Sequence, residues 1–309
     1  MTARQRTLLH LLVENYIESG TPVPSGMLAQ KLSLSPALVR YELIELEQAG
    51  YVEKPHASAG RLPTRQGFRH YALSKLPPEL LPQATLERLS QVMDGAGERR
   101  ETLLVQVASR LSGYPALLRL QSLRSPKLVQ VHLSLLGPGR VLAVAVLEGG
   151  RVREARIELK FAPSEAQLTE AERFLSGPID LRAMPETQNP VLVELYQALS
   201  RAFLQGGLEE YREGMGLLLS EPEAQDPGFL KQALSLFEST PEAQFTPPGG
   251  VNLRVGDWEG LSWVQAGVSL GEVTGELSLL GPMRMRYPHA LSVAYALSQV
   301  YMGRKTYAR

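Results

Sequence analysis

The segment from residue 33 to residue 64 limits the possible folds of this chain more than any other. Ser35 is placed to cap a helix and Pro36 to begin it, a position where the missing amide hydrogen costs nothing. That helix is predicted to end at Gly50. The residues that follow, YVEKPHASAGRLPT, place a short strand-like run on each side of a loop of small residues. The pattern predicts a helix followed directly by a β-hairpin.

Two more helices are predicted before this segment and one after it. Thr2 and Gln5 have the spacing of a capping box, and the apolar stripe that follows them ends at Gly20. SGMLAQKL, which begins at Ser25, predicts a short second helix, and Thr64 is placed to cap a fourth. Three helices, a hairpin and a helix form the order of a winged helix-turn-helix, a DNA-binding fold. From the helices alone, a small helical bundle with a polar face is the alternative.

The third helix would be the recognition helix of such a domain. Val39 and Leu43 belong to its apolar stripe, and Ala37, Arg40 and Tyr41 lie on the opposite face. Arg40 can reach a guanine or a phosphate, Tyr41 can stack or donate a hydrogen bond, and Ala37 can contact a thymine methyl group. These side chains are the main candidates for reading a DNA sequence.

The hairpin loop supplies a second group of candidates. His56, Ser58 and Arg61 are predicted to reach the DNA backbone or the minor groove, and Gly60 is expected to give the turn its conformational freedom. If Arg61 makes this wing contact, Arg61→Ala should weaken specific and nonspecific DNA binding alike and flatten the salt dependence. The complete predicted set of DNA-contacting residues is Ser25, Ser35, Ala37, Arg40, Tyr41, His56, Ser58 and Arg61.

A catalytic interpretation of His56 and Ser58 is the main competitor. A hydrolase would need an acid to orient the imidazole, and none stands near this loop in the sequence. The chain has no cysteine, and no two of its five histidines are three or four residues apart, so no metal-binding spacing occurs. Phosphate-loop and nucleophile-elbow motifs are also absent from the sequence. The sequence therefore predicts neither an enzyme nor a cofactor.

Charge and hydropathy fit a protein that binds nucleic acid without excluding other partners. Residues 1–75 carry nine Lys and Arg against six Asp and Glu, a net charge of +3 within a chain whose net charge is zero. No stretch of eighteen uncharged apolar residues occurs, so no membrane partner is expected. The lack of cysteine and of a signal-peptide cleavage pattern predicts a cytoplasmic address.

The rest of the chain alternates between strand and helix patterns. After a proline-rich linker at 75–83, three strand-like runs between residues 127 and 161 predict an antiparallel meander. The middle run, RVLAVAVLE, is apolar at nearly every position, as in a strand covered on both faces. From residue 164, four helical segments are predicted, LEEYREGMGLLL among them, before strands resume near residue 251. Strands interrupted by helices predict an α+β fold with an insertion.

Three segments of the sequence resemble the HrcA family of heat-inducible transcription repressors. They are YIESGTPVPSGMLA, LSPALVRYELIELEQAGYVEKPHASAGRLPTRQGFRHY and LLGPMRMRYPHALSVAYALSQV. The family's wing reads Pro-His-Thr-Ser-Ala-Gly-Arg-Ile-Pro-Thr, and residues 55–64 differ from it at Ala57 and Leu62. The recognition helix departs further, because Leu38 and Tyr41 stand where the family usually has threonine and asparagine. The resemblance extends from about residue 3 to about residue 300.

The resemblance implies a fold, an operator and partners. It implies a winged helix-turn-helix at 1–75 and a GAF-like antiparallel-sheet domain at 76–164 and 246–309, interrupted by a mainly helical dimerisation domain at 165–245. It also implies a homodimer that binds double-stranded DNA at an inverted-repeat operator of the CIRCE type ahead of chaperone genes. Finally, it implies that the chaperonin modulates activity.

Two further interpretations stay open. A GAF-like domain could bind a small molecule, which would make the chain a ligand-sensing regulator. No convergent polar set within 126–160 or 250–285 argues for a ligand pocket, and this makes the sensor the second choice. In GPMRMRYP, at 281–288, Arg284 and Arg286 could bind an anion or a partner, but we expect them to pair with carboxylates.

Overall fold

The computed structural model is a mixed α and β protein, which confirms the α+β expectation. It describes residues 1–56, 58–122, 127–148, 150, 152–181, 183, 186–204, 208–239, 245–258, 260–271 and 273–303. Two compact units are present, one formed by Met1–Arg119, Glu210–Leu270 and Gly275–Arg309, the other by Leu120–Glu209 and Gly271–Thr274.

The helices lie mainly at the two ends of the chain and around the meander. They are α1 (Ala3–Ser19), α2 (Ser25–Leu32), α3 (Pro36–Gln48), α4 (Arg65–Leu73), α5 (Gln83–Asp94), α6 (Arg100–Ser112), α7 (Glu165–Phe174), α8 (Pro190–Leu204), α9 (Pro227–Glu238) and α10 (Tyr287–Tyr301).

The described strands form three sheets. They are β1 (Val52–Glu53), β2 (Leu62–Pro63), β3 (Ala116–Ser122), β4 (Lys127–Gly137), β5 (Arg140–Leu147), β6 (Val152–Glu158), β7 (Ile179–Asp180), β8 (Leu208–Glu213), β9 (Val251–Trp258), β10 (Leu261–Leu270) and β11 (Val273–Pro282). The sheets have the orders β1-β2, β8-β3-β11-β10-β9 and β6-β5-β4-β7.

The first four helices and the hairpin follow the predicted local signals. Thr2 and Gln5 form both hydrogen bonds of a capping box, and α1 ends at Gly20 in the left-handed conformation. The Ser35 hydroxyl accepts a hydrogen bond from the amide of Leu38 at the start of α3. β1 and β2 pair antiparallel, and Thr64 caps α4. The predicted order of three helices, hairpin and helix is therefore present.

The unit that contains β4, β5 and β6 has its core on one face of the sheet. The three strands form the predicted antiparallel meander. Along β5, Val141, Ala143 and Ala145 are fully buried against a core that also includes residues of α7 and α8. The residues between them are only half-buried. The prediction that both faces of this strand are covered is therefore wrong for the single chain, although the meander itself is confirmed.

The prediction of a helix for LEEYREGMGLLL is also wrong. Leu208–Glu213 forms the edge strand β8 beside β3, and Met215–Ser220 is a short 3₁₀ helix. Gly214 separates them in the left-handed conformation, with φ at 83°, and a side chain there would collide with Ser109. Pairing with a distant strand overrides the helical preference of the local sequence.

Candidate nucleic-acid interface

One face of α3 is exposed along its length. Ala37, Arg40, Tyr41 and Ile44 all lie on it, and Tyr41 keeps 59% of its surface accessible. The opposite stripe of α3, which includes Val39, is buried. The structure thus places the predicted recognition residues together on one outward surface, with an arginine among apolar and aromatic side chains.

Of the two departures from the family's recognition helix, only one is prominent on this surface. Leu38 is half-buried, whereas Tyr41 projects from the exposed face. The substitution at Tyr41 is therefore the one that changes the exposed face of α3.

Two of the predicted contact residues are serines at the N-terminal ends of α2 and α3. Ser35 is exposed, and its hydroxyl is the N-cap of α3. Ser25 is half-buried and is the first residue of α2, whose N-cap, Pro24, makes no side-chain hydrogen bond. Helix N-termini present backbone amides to anions, so both positions suit phosphate contacts.

The tip of the hairpin loop carries a linked pair of polar side chains. His56 and Ser58 are exposed, and His56 Nδ1 lies 3.1 Å from Ser58 Oγ. Ala57, which stands between them, is outside the described residues. Both side chains have polar atoms at the surface that can form hydrogen bonds to a phosphate.

Arg61 is placed differently from the other candidates. Its backbone forms a two-bond bridge with Val23, at 2.7 and 2.9 Å. Its guanidinium Nη2 lies 2.8 Å from Glu47 Oε2 on α3, and the side chain is only 15% exposed. The arginine therefore ties the base of the hairpin to α3 and to the start of α2, away from the exposed loop tip.

Gly60 is needed in the hairpin for a different reason from the one expected. Its φ is not positive, so the turn does not require the conformational freedom of glycine there. Instead, a Cβ at this position would lie 2.4 Å from the carbonyl oxygen of Val23. Gly67 has the same kind of constraint, with Tyr51 O at 2.2 Å from a built Cβ. Both glycines permit close backbone contacts that hold the hairpin onto the helices.

Two imidazoles pack between α1 and α4. The ring centroids of His10 and His70 are 5.9 Å apart, and Tyr71 packs edge-on against His10. Burial lowers the pKa of both histidines from 6.5, and nearby cations, among them Lys75 for His10 and Arg6 for His70, lower it further. The folded protein therefore favours the neutral forms.

We expect acid to loosen this helix pair. Below about pH 6.5 the unfolded chain binds more protons at these histidines than the folded chain, so stability is complete above that pH and is lost as pH falls. Hydrogen exchange of peptides from α1 and α4, corrected for the intrinsic pH dependence, should show increased opening in acid. His10→Gln/His70→Gln should reduce this pH dependence, and His56→Gln at the exposed loop should not. An unchanged pH profile in the double variant would contradict the prediction.

A polar row crosses the five-stranded sheet, and the sequence analysis missed it. Glu276 on β11 lies 3.3 Å from Arg119 Nη2 on β3, and the two side chains are 2% and 3% exposed. Glu276 also accepts hydrogen bonds from Gln265, from Ser278 and from both the amide and hydroxyl of Thr246. Only the strand pairing, which is not visible in the sequence, brings these residues together.

The expected ion pairing of the GPMRMRYP segment is confirmed for Arg284. Its guanidinium lies 2.7 Å from carboxylate oxygens of both Glu221 and Glu223. Arg286 is exposed at the start of α10.

The part of the chain that the structure describes contains no group of three or more His, Asp and Glu side chains able to hold a metal ion. Among these same residues, no helix is both long enough and apolar enough to span a bilayer.

Comparison with known proteins identifies the family. The family described as HrcA protein C terminal domain matches residues 102–291. A heat-inducible transcription repressor HrcA from Moorella thermoacetica is 30% identical over 97% of both chains. The chain belongs to the HrcA family. A protein of the same name from Synechococcus sp. is also 30% identical, over 94% of this chain and 95% of its own. The resemblance drawn from the wing and helix motifs is confirmed.

A solved structure supports the fold of this HrcA-family chain. It is described as a hypothetical protein, is 20% identical, covers 98% of both chains and has a TM-score of 0.56. At that identity the likeness concerns the fold alone.

Proposed function

We propose that this chain represses heat-shock genes in the cytoplasm by binding double-stranded DNA at an inverted-repeat operator of the CIRCE type. As a member of the HrcA family it is a heat-inducible transcription repressor, and the relatives it matches carry that name. The operator, the homodimer and modulation by the chaperonin are our proposals. The observation that carries the DNA contact is the exposed face of α3, where Arg40 stands among apolar side chains.

Residues 1–75 are proposed to act as a winged helix-turn-helix. In this arrangement α3 enters the major groove, where a guanidinium can bond guanine and apolar groups can contact thymine methyls. The loop tip with His56 and Ser58 then reaches phosphate or the minor groove, and Ser25 and Ser35 approach the backbone. The capping, pairing and exposure of these elements support the assignment.

The rest of the chain is proposed to be a GAF-like domain with an insertion that dimerises. One sheet combines β3 with β9, β10 and β11, so segments far apart in the sequence form a single layer. Compact unit Leu120–Glu209 lies between them in the chain. This supports an inserted module that begins earlier than residue 165 and ends earlier than residue 245. A two-fold dimer would match the symmetry of an inverted repeat.

Footprinting tests this proposal directly. Purified protein should protect an inverted repeat in the promoters of the chaperone operons of its own genome, and added chaperonin should increase the protected fraction. An unfolded client that occupies the chaperonin should reverse this increase. No protection, with or without chaperonin, would refute the operator assignment. Protection that ignores chaperonin would refute only its modulating role.

The ligand-sensing alternative has weaker support. The best candidate for a polar ligand site is the row around Glu276, but the chain's own Thr246 already donates two hydrogen bonds to that carboxylate. Gly267 lets the same segment approach, because a Cβ there would lie 2.3 Å from Thr246 O. A small molecule would have to displace this segment.

Arg61 is proposed to position the hairpin, because Glu47 already compensates its charge. We expect Arg61→Ala to lower specific DNA affinity by about 1 kcal/mol, roughly fivefold, since the ion pair is only partly buried. The slope of affinity against salt should stay unchanged, whereas loss of a phosphate contact would reduce it by about one. Titration of a fluorescent duplex at several salt concentrations measures both quantities.

Glu47→Ala is the control that separates the two roles of Arg61. If Arg61 positions the hairpin, removal of its partner should also weaken binding. If Arg61 instead contacts phosphate, freeing it from Glu47 should strengthen binding, and that result would contradict the positioning role.

A further inference from the structure

The segment that joins β11 to α10 contacts the DNA-binding part of the chain. Arg284 in this segment donates a hydrogen bond from Nη1 to the carbonyl oxygen of Ile17, at 3.3 Å. Its other nitrogens bond Glu221 and Glu223, and its side chain is only 14% exposed. The two carboxylates therefore hold a nearly covered guanidinium against α1.

The site that Arg284 contacts is suited to a cation. Ile17 lies in the last turn of α1, where carbonyl oxygens have no partner within the helix and carry a partial negative charge. Arg284 satisfies one of these oxygens. An apolar side chain in place of Arg284 would remove the hydrogen bond to the carbonyl oxygen of Ile17.

A second arginine, which lies within residues 1–75, contacts strand β9 of the five-stranded sheet. Arg65, the first residue of α4, donates from Nη2 to Asp257 Oδ1 at 2.8 Å and from Nε to the carbonyl of Val255 at 3.3 Å. Gly256 lies between these two partners on β9, and a Cβ there would be 2.8 Å from Arg65 Cγ. The missing side chain lets the arginine stem lie against the strand.

An aromatic contact provides a third point of attachment. Tyr71 on α4 packs edge-on against Tyr287 at the start of α10, with ring centroids 6.5 Å apart. Tyr71 also bonds Glu14 on α1, and Tyr287 is fully buried. Three contacts at separate positions on α1 and α4 are enough to fix the orientation of a rigid group of helices.

We propose that Arg65 and Arg284 hold residues 1–75 in one orientation on the five-stranded sheet, and that this orientation sets the half-site spacing that a dimer accepts. The inference rests on the proposed function. Recognition helices with fixed directions can enter two half-sites only at a matching separation. Helices attached by loose linkers tolerate a range of separations.

The test compares operators that differ only in the spacing of their half-sites. The duplexes are an inverted repeat bound by the wild-type protein, the same repeat with its spacer changed by two base pairs, and a single half-site. We expect the wild-type protein to prefer the correct spacing by about tenfold or more, and Arg65→Gln/Arg284→Gln to reduce this preference to about threefold or less. Affinity for the single half-site should stay within about twofold, because the recognition surface is intact.

Arg69→Gln/Arg286→Gln is the matched control. It removes the same charge from the same two elements at exposed positions, and it should keep the wild-type preference for spacing. The proposal is overturned if Arg65→Gln/Arg284→Gln keeps the full spacing preference. It is also overturned if the variant loses single half-site affinity as strongly as operator affinity, since that would indicate general damage.

A measurement without DNA separates this inference from the proposed function. The chain has no cysteine, so Gln30→Cys and Lys231→Cys, both at exposed positions, allow specific spin labelling. Labelled protein diluted into unlabelled protein should show a narrow distance distribution that broadens when both arginines are replaced. An unchanged distribution overturns the orientation role. If the wild-type protein binds no inverted repeat, the proposed function fails, and the distance measurement still decides whether the arginines fix the orientation.

Discussion

Replacing Arg40 with alanine is expected to lower affinity for the operator by about 1–3 kcal/mol, or about 5- to 150-fold. Arg40 is exposed on α3 between Ala37 and Tyr41, where it can form two hydrogen bonds to one guanine. Nonspecific binding should fall much less, because it depends on the sum of charges. Titration of operator and scrambled duplexes by fluorescence anisotropy gives both affinities, and their ratio reports the loss of sequence preference.

Arg40→Lys distinguishes a base contact from a phosphate contact. Lysine keeps the charge but lacks the planar fork that bonds guanine bidentately. If Arg40 reads a base, the lysine variant should recover nonspecific affinity but not sequence preference. Full recovery of both, or an equal loss on all sequences in Arg40→Ala, would contradict the base contact and place Arg40 among the phosphate-binding residues.

The sequence predicted α3 and its exposed face well because the signals for them are local. A cap at Ser35, a stop near Gly50 and the spacing of Val39 and Leu43 fix both the helix and its exposed face. The same kind of signal, alternation around a loop, predicted the paired strands β1 and β2. None of these features depends on residues that are distant in the chain.

The errors arise where a distant residue decides the outcome. The ion pair of Arg61 was not expected, because its partner Glu47 comes from α3, fourteen positions away. Gly60 is required by the carbonyl of Val23, and the sequence does not show that these two segments touch. The edge strand β8 forms because β3 offers it backbone hydrogen bonds. Local propensity carries no information about such neighbours.

Removing the carboxylate of Glu276 should be the most damaging single change to the five-stranded sheet. Glu276→Ala removes the carboxylate that accepts hydrogen bonds from Gln265 and Thr246 and pairs with the buried Arg119 guanidinium. Loss of one partner of a buried ion pair typically costs about 3–5 kcal/mol, because the remaining charge stays desolvated. We expect a loss of this size in the free energy of unfolding. Urea denaturation followed by tryptophan fluorescence measures it.

The tryptophans report the same sheet that the variant would damage. The chain has two, Trp258 on β9 and Trp263 on β10, and both pack in one apolar cluster with Leu117 of β3 and Leu280 of β11. A double-mutant cycle with Arg119→Met should show a coupling of about 0.5–3 kcal/mol, because Arg119 and Glu276 contact each other directly. Additive effects of the two substitutions would contradict a stabilising ion pair between Arg119 and Glu276. So would a loss of less than about 1 kcal/mol in the free energy of unfolding of Glu276→Ala. Such a result would also mean that Thr246 is held by Glu276 only weakly, and it would return this position to consideration as a ligand site.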